Sequence, residues 1–231
     1  MPSQVDRALP ILSLILSLLS LFIILLMTFN PPPMHEVSPW RKPSVGVVFS
    51  LICILGILAA VSPKRCSRAL HGEEKLSNIT YRKIKGHHPD CEAFSTHVIK
   101  MGGRTLCAAC TGLFTGGVMA LTASTLYFSG LWGVEGMELQ LILIGILGVA
   151  QIFLKPRLRA TFRILANALF PIGASLVLIG VDGLFKSLFA SMFLNALIVF
   201  WIMTRIIVSN WRHLKICFEC KSPCGFSGKT V

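Results

Sequence analysis

The side chains able to carry chemistry fall into two short stretches. The first runs Gly86-His87-His88-Pro89-Asp90-Cys91, continues to His97, and ends in Cys107-Ala108-Ala109-Cys110-Thr111-Gly112. Between its halves, Val98-Ile99-Lys100-Met101 and Arg104-Thr105-Leu106 flank Gly102-Gly103. Alternating runs about a Gly-Gly pair signal a hairpin with a two-residue turn. Such a hairpin carries the His/Cys group at its start back towards the Cys pair at its end. Ligands from both sides, with C-x-x-C letting two sulfurs converge on one ion, assemble a tetrahedral zinc knuckle. Cys91, Cys107 and Cys110 supply three sulfurs, and His87, His88 or His97 supplies the nitrogen. The donor set suits zinc, with mononuclear iron or an iron–sulfur cluster as the alternative cofactor.

Cys107 and Cys110 also open an apolar run that reads as a helix, with Arg104 three residues before the pair. Unpaired backbone N–H groups and the helix dipole stabilise a thiolate there. That serves metal ligation and redox catalysis equally, so a membrane thiol oxidoreductase or iron–sulfur electron carrier is the second functional class. No thioredoxin-like βαβ context surrounds the pair, and no catalytic residue is assigned.

The second stretch is His213-Leu214-Lys215-Ile216-Cys217-Phe218-Glu219-Cys220-Lys221-Ser222-Pro223-Cys224. On a continuing helix, His213, Cys217 and Cys220 at i, i+4 and i+7 share a face, and Pro223 ends the helix so that Cys224 can fold back. The stretch reads as a second metal site, as part of the first, or as palmitoylated juxtamembrane cysteines. Cys66 could complete either cluster, while Cys53, inside an apolar run, is a small hydrophobe.

The elements that position these residues follow from composition. Of 231 residues 54% are hydrophobic and 14% charged, and the mean hydropathy is +0.72. A soluble domain carries about 25% charged residues, so that class is excluded. A membrane span needs about 20 predominantly apolar residues. Six stretches are candidates: Ala8–Phe29, Ser44–Ser62, Ala108–Phe128, Leu139–Leu154, Ile164–Val181 and Leu188–Met203. The first is too long for a signal-peptide core and runs into Asn30-Pro31-Pro32-Pro33 without a cleavage pattern, so it reads as a retained signal anchor.

The expected fold class is an all-α integral membrane protein: a six-helix transmembrane bundle with a small cytosolic Cys/His hairpin module. Residues 1–62 hold two N-terminal membrane helices and 63–107 a cytosolic basic loop with the module. Residues 108–208 form a four-helix membrane region, and 209–231 a cytosolic Cys-rich tail.

Orientation follows from the cations. With the N-terminus inside, 19 of 22 Lys and Arg fall in inside segments, and only Arg41, Lys42 and Lys186 fall outside. That bias predicts a multi-pass protein of the cell membrane with both termini cytosolic. Seven of the eight Cys then face a reducing compartment, where clustered thiols bind metal or catalyse more often than they pair. Cations beside every inside helix end are what topology requires, so the implied partners are the lipid bilayer and a protein partner on the cytosolic face, with no nucleic acid.

The spans are chemically quiet. Asp182 and Lys186 sit at an outer helix end, and Gln151, Asn167 and Asn195 are the main polar side chains at depth. No ionisable group at mid-span supports an ion-coupled carrier. A channel has only the helices behind it. Gly112, Gly116 and Gly117 on the third span permit close helix contact, and Pro171 marks a kink in the fifth.

The stretch from His87 to Gly117, with His-x-Pro, Phe94, a Gly-containing hairpin and Cys107-Ala108-Ala109-Cys110-Thr111-Gly112 entering a membrane helix, resembles a domain-of-unknown-function family of small polytopic prokaryotic membrane proteins. The family motif reads roughly Cys-His-x-x-Pro-x-x-Ser-Phe, a hairpin, then Cys-Ala-Arg-Cys-Thr-Gly. The family's first Cys is Gly86 here, and its Arg within the Cys pair is Ala109. His87, Cys107 and Cys110 match by position, whereas His88, Cys91 and His97 rest on ligand chemistry alone. The resemblance implies a membrane protein with a cytosolic Cys/His site.

Overall fold

The computed structural model describes residues 4–30, 38–61, 84–85, 88–89, 98–101, 104–153 and 160–219. Within them lie α1 (Gln4–Phe29), α2 (Arg41–Val61), α3 (Ala108–Phe128), α4 (Glu138–Ala150), α5 (Ala160–Phe185) and α6 (Leu188–Glu219). Two antiparallel ribbons join them: β1 (Ile84–Lys85) with β2 (His88–Pro89), and β3 (Val98–Met101) with β4 (Arg104–Cys107).

Five helices, α1, α2, α3, α5 and α6, are long and apolar enough to cross a membrane. The apolar helix Glu138–Phe153, formed by α4 and a 3₁₀ turn at Gln151–Phe153, is shorter. Thirteen residues of α4 rise about 20 Å against a hydrocarbon core of about 30 Å. Helix ends exceed the hydropathic stretches where polar residues are good helix formers. α6 continues through Arg205, Arg212 and Glu219, well beyond Met203, and α5 begins at Ala160, one turn before Ile164.

Helices consecutive in the chain alternate in direction. Gly46 abuts Phe128 while Gly117 abuts Ile57, which makes α2 and α3 antiparallel. Gly145 lies against Gly173 and Gly180 against Ile142, so α4 and α5 are antiparallel too. α3 and α5 run parallel, with Gly112 at Asn167 near one end and Tyr127 at Asp182 near the other. Lys186-Ser187 reverse the chain between α5 and α6; Lys186 takes the left-handed conformation (φ 50°) and Ser187 is buried at the start of α6. α1 lies antiparallel to α6 through Ser17 Oγ donating to Thr204 Oγ1 (3.1 Å) and Trp201 Nε1 donating to Ser20 Oγ (2.9 Å). The bundle therefore has two ends. One carries Cys107 and the C-terminal half of α6, and the other carries Asp182.

α5 is the hub, packed between α3 and α4, and its residues from Gly173 to Asp182 are buried except for the half-buried Leu176. Side chains drive little association in lipid, because the tails are as apolar as leucine; close backbone approach through small residues replaces them. A Cβ at Gly173 would lie 2.6 Å from the Gly145 carbonyl oxygen, and one at Gly145 would lie 2.7 Å from the Gly173 carbonyl oxygen. A Cβ at Gly116 would lie 2.6 Å from the Ala168 Cα and closer still to its carbonyl oxygen. α1, by contrast, buries a single stripe of Pro10, Ser13, Ser17, Leu21, Ile24 and Thr28, and turns its remaining apolar side chains outward.

Backbone cannot yield as a flexible side chain does, so Gly116→Val should cost about 2–3 kcal/mol of stability. Gly56→Ala, where nothing lies within 4 Å of the added Cβ, should leave it unchanged. Thermal unfolding of the two variants in detergent measures the contrast.

Candidate functional site

At one end of the bundle the β3–β4 ribbon delivers the Cys pair. Its register is Val98↔Cys107, Ile99↔Leu106, Lys100↔Thr105 and Met101↔Arg104, about the two residues Gly102-Gly103. Cys107 closes β4 in extended conformation (φ −76°, ψ 122°) and is the residue from which α3 starts. Thr111 Oγ1 donates to the Cys107 carbonyl (3.0 Å) and fixes this first turn. Cys107 and Cys110 are half-buried, and no disulfide joins them.

Each of the two thiols lies within electrostatic reach of one guanidinium group. Arg163, near the start of α5, lies within electrostatic reach of Cys107, and Arg205 of α6 within reach of Cys110. Arg212, two turns along α6, is close enough to Arg163 for the two charges to oppose each other. Arg205 is turned into the protein: Nη2 donates to Asn167 Oδ1, the guanidinium lies over the Phe170 ring (4.8 Å to its centre), and Nη1 is buried without a hydrogen-bond partner among the described residues. Asn167 Nδ2 donates to the Arg163 carbonyl, and Asn167 Cβ would be only 2.8 Å from a Cβ on Gly112. The socket that holds Arg205 is thus built on the α3–α5 crossing.

The sequence-derived ligand candidates divide as follows. Cys107 and Cys110 stand together at the head of α3. His88 lies in β2 opposite Lys85, and His213 and Cys217 are one turn apart on α6. His87, Cys91, His97, Cys220 and Cys224 lie outside the described residues, as does Cys66. Among the described residues no group of three or more His, Cys, Asp or Glu gathers to hold a metal.

The opposite end holds a cluster that the sequence reading leaves out. Asp182 is 0% exposed and Arg41 9%, and Arg41 Nη1 lies 2.5 Å from Asp182 Oδ1. The same Nη1 also donates to the Asp182 carbonyl (3.0 Å). Tyr127 Oη donates to Oδ2 (3.0 Å), and Ser191 Oγ lies 2.8 Å from Oδ1. Lys42 Nζ sits 4.7 Å from the centre of the Tyr127 ring. One carboxylate thereby ties α2, α3, α5 and α6 together. Asp182 and Arg41, which the sequence puts at helix ends, form a buried pair with the carboxylate hydrogen-bonded on both oxygens. Asp182 embedded in Gly180-Val181-Asp182-Gly183-Leu184-Phe185 was the available signal, since an acid flanked by apolar residues needs a partner. For Arg205 the signal was its spacing of seven from Arg212, two turns along one helix face. Both amide atoms of Asn195, deep on α6, are buried without a hydrogen bond among the described residues.

Comparison with protein-family models, with characterised proteins and with solved structures finds no match to this chain.

Removing one partner of a buried ion pair strands the other charge in a low-dielectric site. Asp182→Asn and Arg41→Met should each destabilise the protein by roughly 3 kcal/mol, whereas the double variant Arg41→Met/Asp182→Leu should recover most of the loss. A double-mutant cycle on unfolding in detergent measures the coupling.

Proposed function

We propose that this protein crosses the cell membrane six times with both termini in the cytosol, and carries a cytosolic Cys/His metal site, zinc being the favoured ion, that organises this face for a partner or substrate. Cys107, Cys110 and Cys91 are the sulfur ligands, with a nitrogen from His87, His88 or His97; His213, Cys217, Cys220 and Cys224 form a second site or contribute to the first. The observation that carries the reading is convergence at one end. Val98, which follows His97 in the chain, pairs with Cys107, and α6, which bears His213 and Cys217, also carries Arg205, within electrostatic reach of Cys110. This register supports a site drawn from segments distant in sequence, as a multidentate site requires. Guanidinium groups beside it are compatible with a zinc centre of several thiolates, whose net charge is negative.

The six crossings rest on α4 running antiparallel to α5 and on the alternation of direction through the bundle. Its short apolar length is accommodated by local thinning of the bilayer at modest cost. The same alternation gathers the cation-rich segments at the thiol end, which supports its cytosolic assignment.

Full-length protein should contain zinc near one equivalent or above by elemental analysis, and Cys107→Ser/Cys110→Ser should lose at least one equivalent. Unchanged metal content in that variant would sink the metal reading. Fluorescent-protein and alkaline-phosphatase fusions at the C-terminus test orientation: fluorescence with an inactive phosphatase is expected, and the reverse pattern rejects a cytosolic tail.

One observation favours a second reading. Arg163 and Arg205 beside Cys107 and Cys110 suit a reactive dithiol as well as a ligand pair. In that case the two thiols form a disulfide, passing two electrons and two protons to a lipid-soluble quinone-class acceptor. Protein without metal whose Cys107 is alkylated only after reduction distinguishes this chemistry.

A further inference from the structure

We infer that the loop between α3 and α4, together with Trp40 and Phe189, is a lipid-binding surface that embeds the Asp182 end of the bundle in the interfacial layer of the bilayer by apolar insertion. The loop reads Ser129-Gly130-Leu131-Trp132-Gly133-Val134-Glu135-Gly136-Met137. Leu131 is 80% exposed and Trp132 is exposed beside it, while Val134 is buried. Hydrogen bonds hold this arrangement: Gly130 N–H donates to the Tyr127 carbonyl (3.0 Å), Trp132 N–H to the Leu126 carbonyl (3.0 Å) and Met137 N–H to the Val134 carbonyl (2.9 Å). Gly130 and Gly136 take left-handed conformations (φ 79° and 77°) that glycine adopts at no steric cost. Val134 anchors the loop on α5, where a Cβ at Gly183 would lie 3.3 Å from it. A loop braced in this way keeps Leu131 and Trp132 outside the core.

Two other connections bring large apolar side chains to the same end. Trp40, 74% exposed, immediately precedes Arg41, and Phe189, 76% exposed, lies two residues before Ser191; Arg41 and Ser191 both meet Asp182. Phe189 stacks on Phe193 one turn along α6 (ring centres 6.4 Å apart), so the surface continues onto the exposed flank of a spanning helix. Large exposed apolar side chains gathered in this way mark an interaction surface.

Depth and charge identify the partner as lipid. The 21 residues of α3 rise about 31 Å against a hydrocarbon core of about 30 Å, so the chain just beyond Phe128 falls at headgroup level. Irregular backbone facing lipid does not occur within the hydrocarbon, whereas Trp side chains favour the interface. Among the described residues this end carries three cations, Arg41, Lys42 and Lys186, and three carboxylates, Glu135, Glu138 and Asp182. That balance leaves no net field to draw an anionic headgroup, and the attraction is apolar. The inference rests on the membrane reading of the helices and is independent of the metal site.

The test reconstitutes the full chain in phosphatidylcholine vesicles with and without phosphatidylglycerol, after flotation at alkaline pH has verified insertion. Tryptophan emission is measured with phosphatidylcholine brominated near the headgroup or near the chain ends, and with iodide on both sides of the membrane. Trp132→Phe and Trp40→Phe, at exposed positions, isolate the emission of each ring, with Trp201 and Trp211 common to all samples. The emission lost in each variant should be quenched more by shallow than by deep bromine, little by iodide, and equally with or without phosphatidylglycerol. Leu131→Asp should shift Trp132 emission to longer wavelength and open it to iodide. Quenching by iodide alone puts the loop in water, stronger quenching by deep bromine puts it in hydrocarbon, and protection from both quenchers shows a protein or a second copy covering it; each overturns the inference, as does a requirement for phosphatidylglycerol. A chain that fails to float with the vesicles overturns the membrane reading itself, and this inference with it.

Discussion

The close approach of α5 to α3 and α4 sets the geometry on which both ends of the bundle depend. Gly145, Gly148 and Gly173 let the α4 and α5 backbones touch, and Gly112 and Gly116 do the same between α3 and α5. In a lipid environment apolar side chains gain little by leaving lipid for protein, so backbone contact and interhelical hydrogen bonds carry helix association. The crossings also fix what sits above and below them. Gly112 lies against Asn167, the anchor of Arg205, while Gly180 packs on Ile142 and Glu138 two residues from Asp182.

The two ends handle charge in different ways. At the Asp182 end a single acid is matched by Arg41 and capped by the Tyr127 and Ser191 hydroxyls, giving a closed network between four helices. Such a network contributes uniqueness of packing more than net stability, because desolvating both ions offsets much of their attraction. At the thiol end arginines lie within electrostatic reach of cysteines, and Arg205 Nη1 is buried with no hydrogen-bond partner among the described residues. A satisfied cluster locks structure.

Much of the layout was legible along the chain. Apolar runs of span length announced α1, α2, α3, α5 and α6, because in lipid each spanning segment must satisfy its own backbone as a helix. The Gly102-Gly103 pair between alternating runs announced the β3–β4 register, because a two-residue turn leaves the flanking strands one simple pairing. The boundaries of α4 and α6 were less legible. Hydropathy detects where lipid contact ends, while helical hydrogen bonding ends where capping does, so α6 runs on through Arg205 to Glu219.

By itself the sequence determined that the chain is a helical membrane protein with its cations heavily partitioned and its chemistry-capable thiols gathered at Cys107, Cys110 and the tail, since hydropathy and local spacing are properties of neighbouring residues. Tertiary structure alone decided that Arg41 meets Asp182 across 141 positions, that Arg205 turns inward to Asn167 across 38, and that arginines from α5 and α6 come within electrostatic reach of the cysteines of α3. Partners that far apart are selected by which helix faces the backbone crossings bring together, and no local pattern encodes that choice.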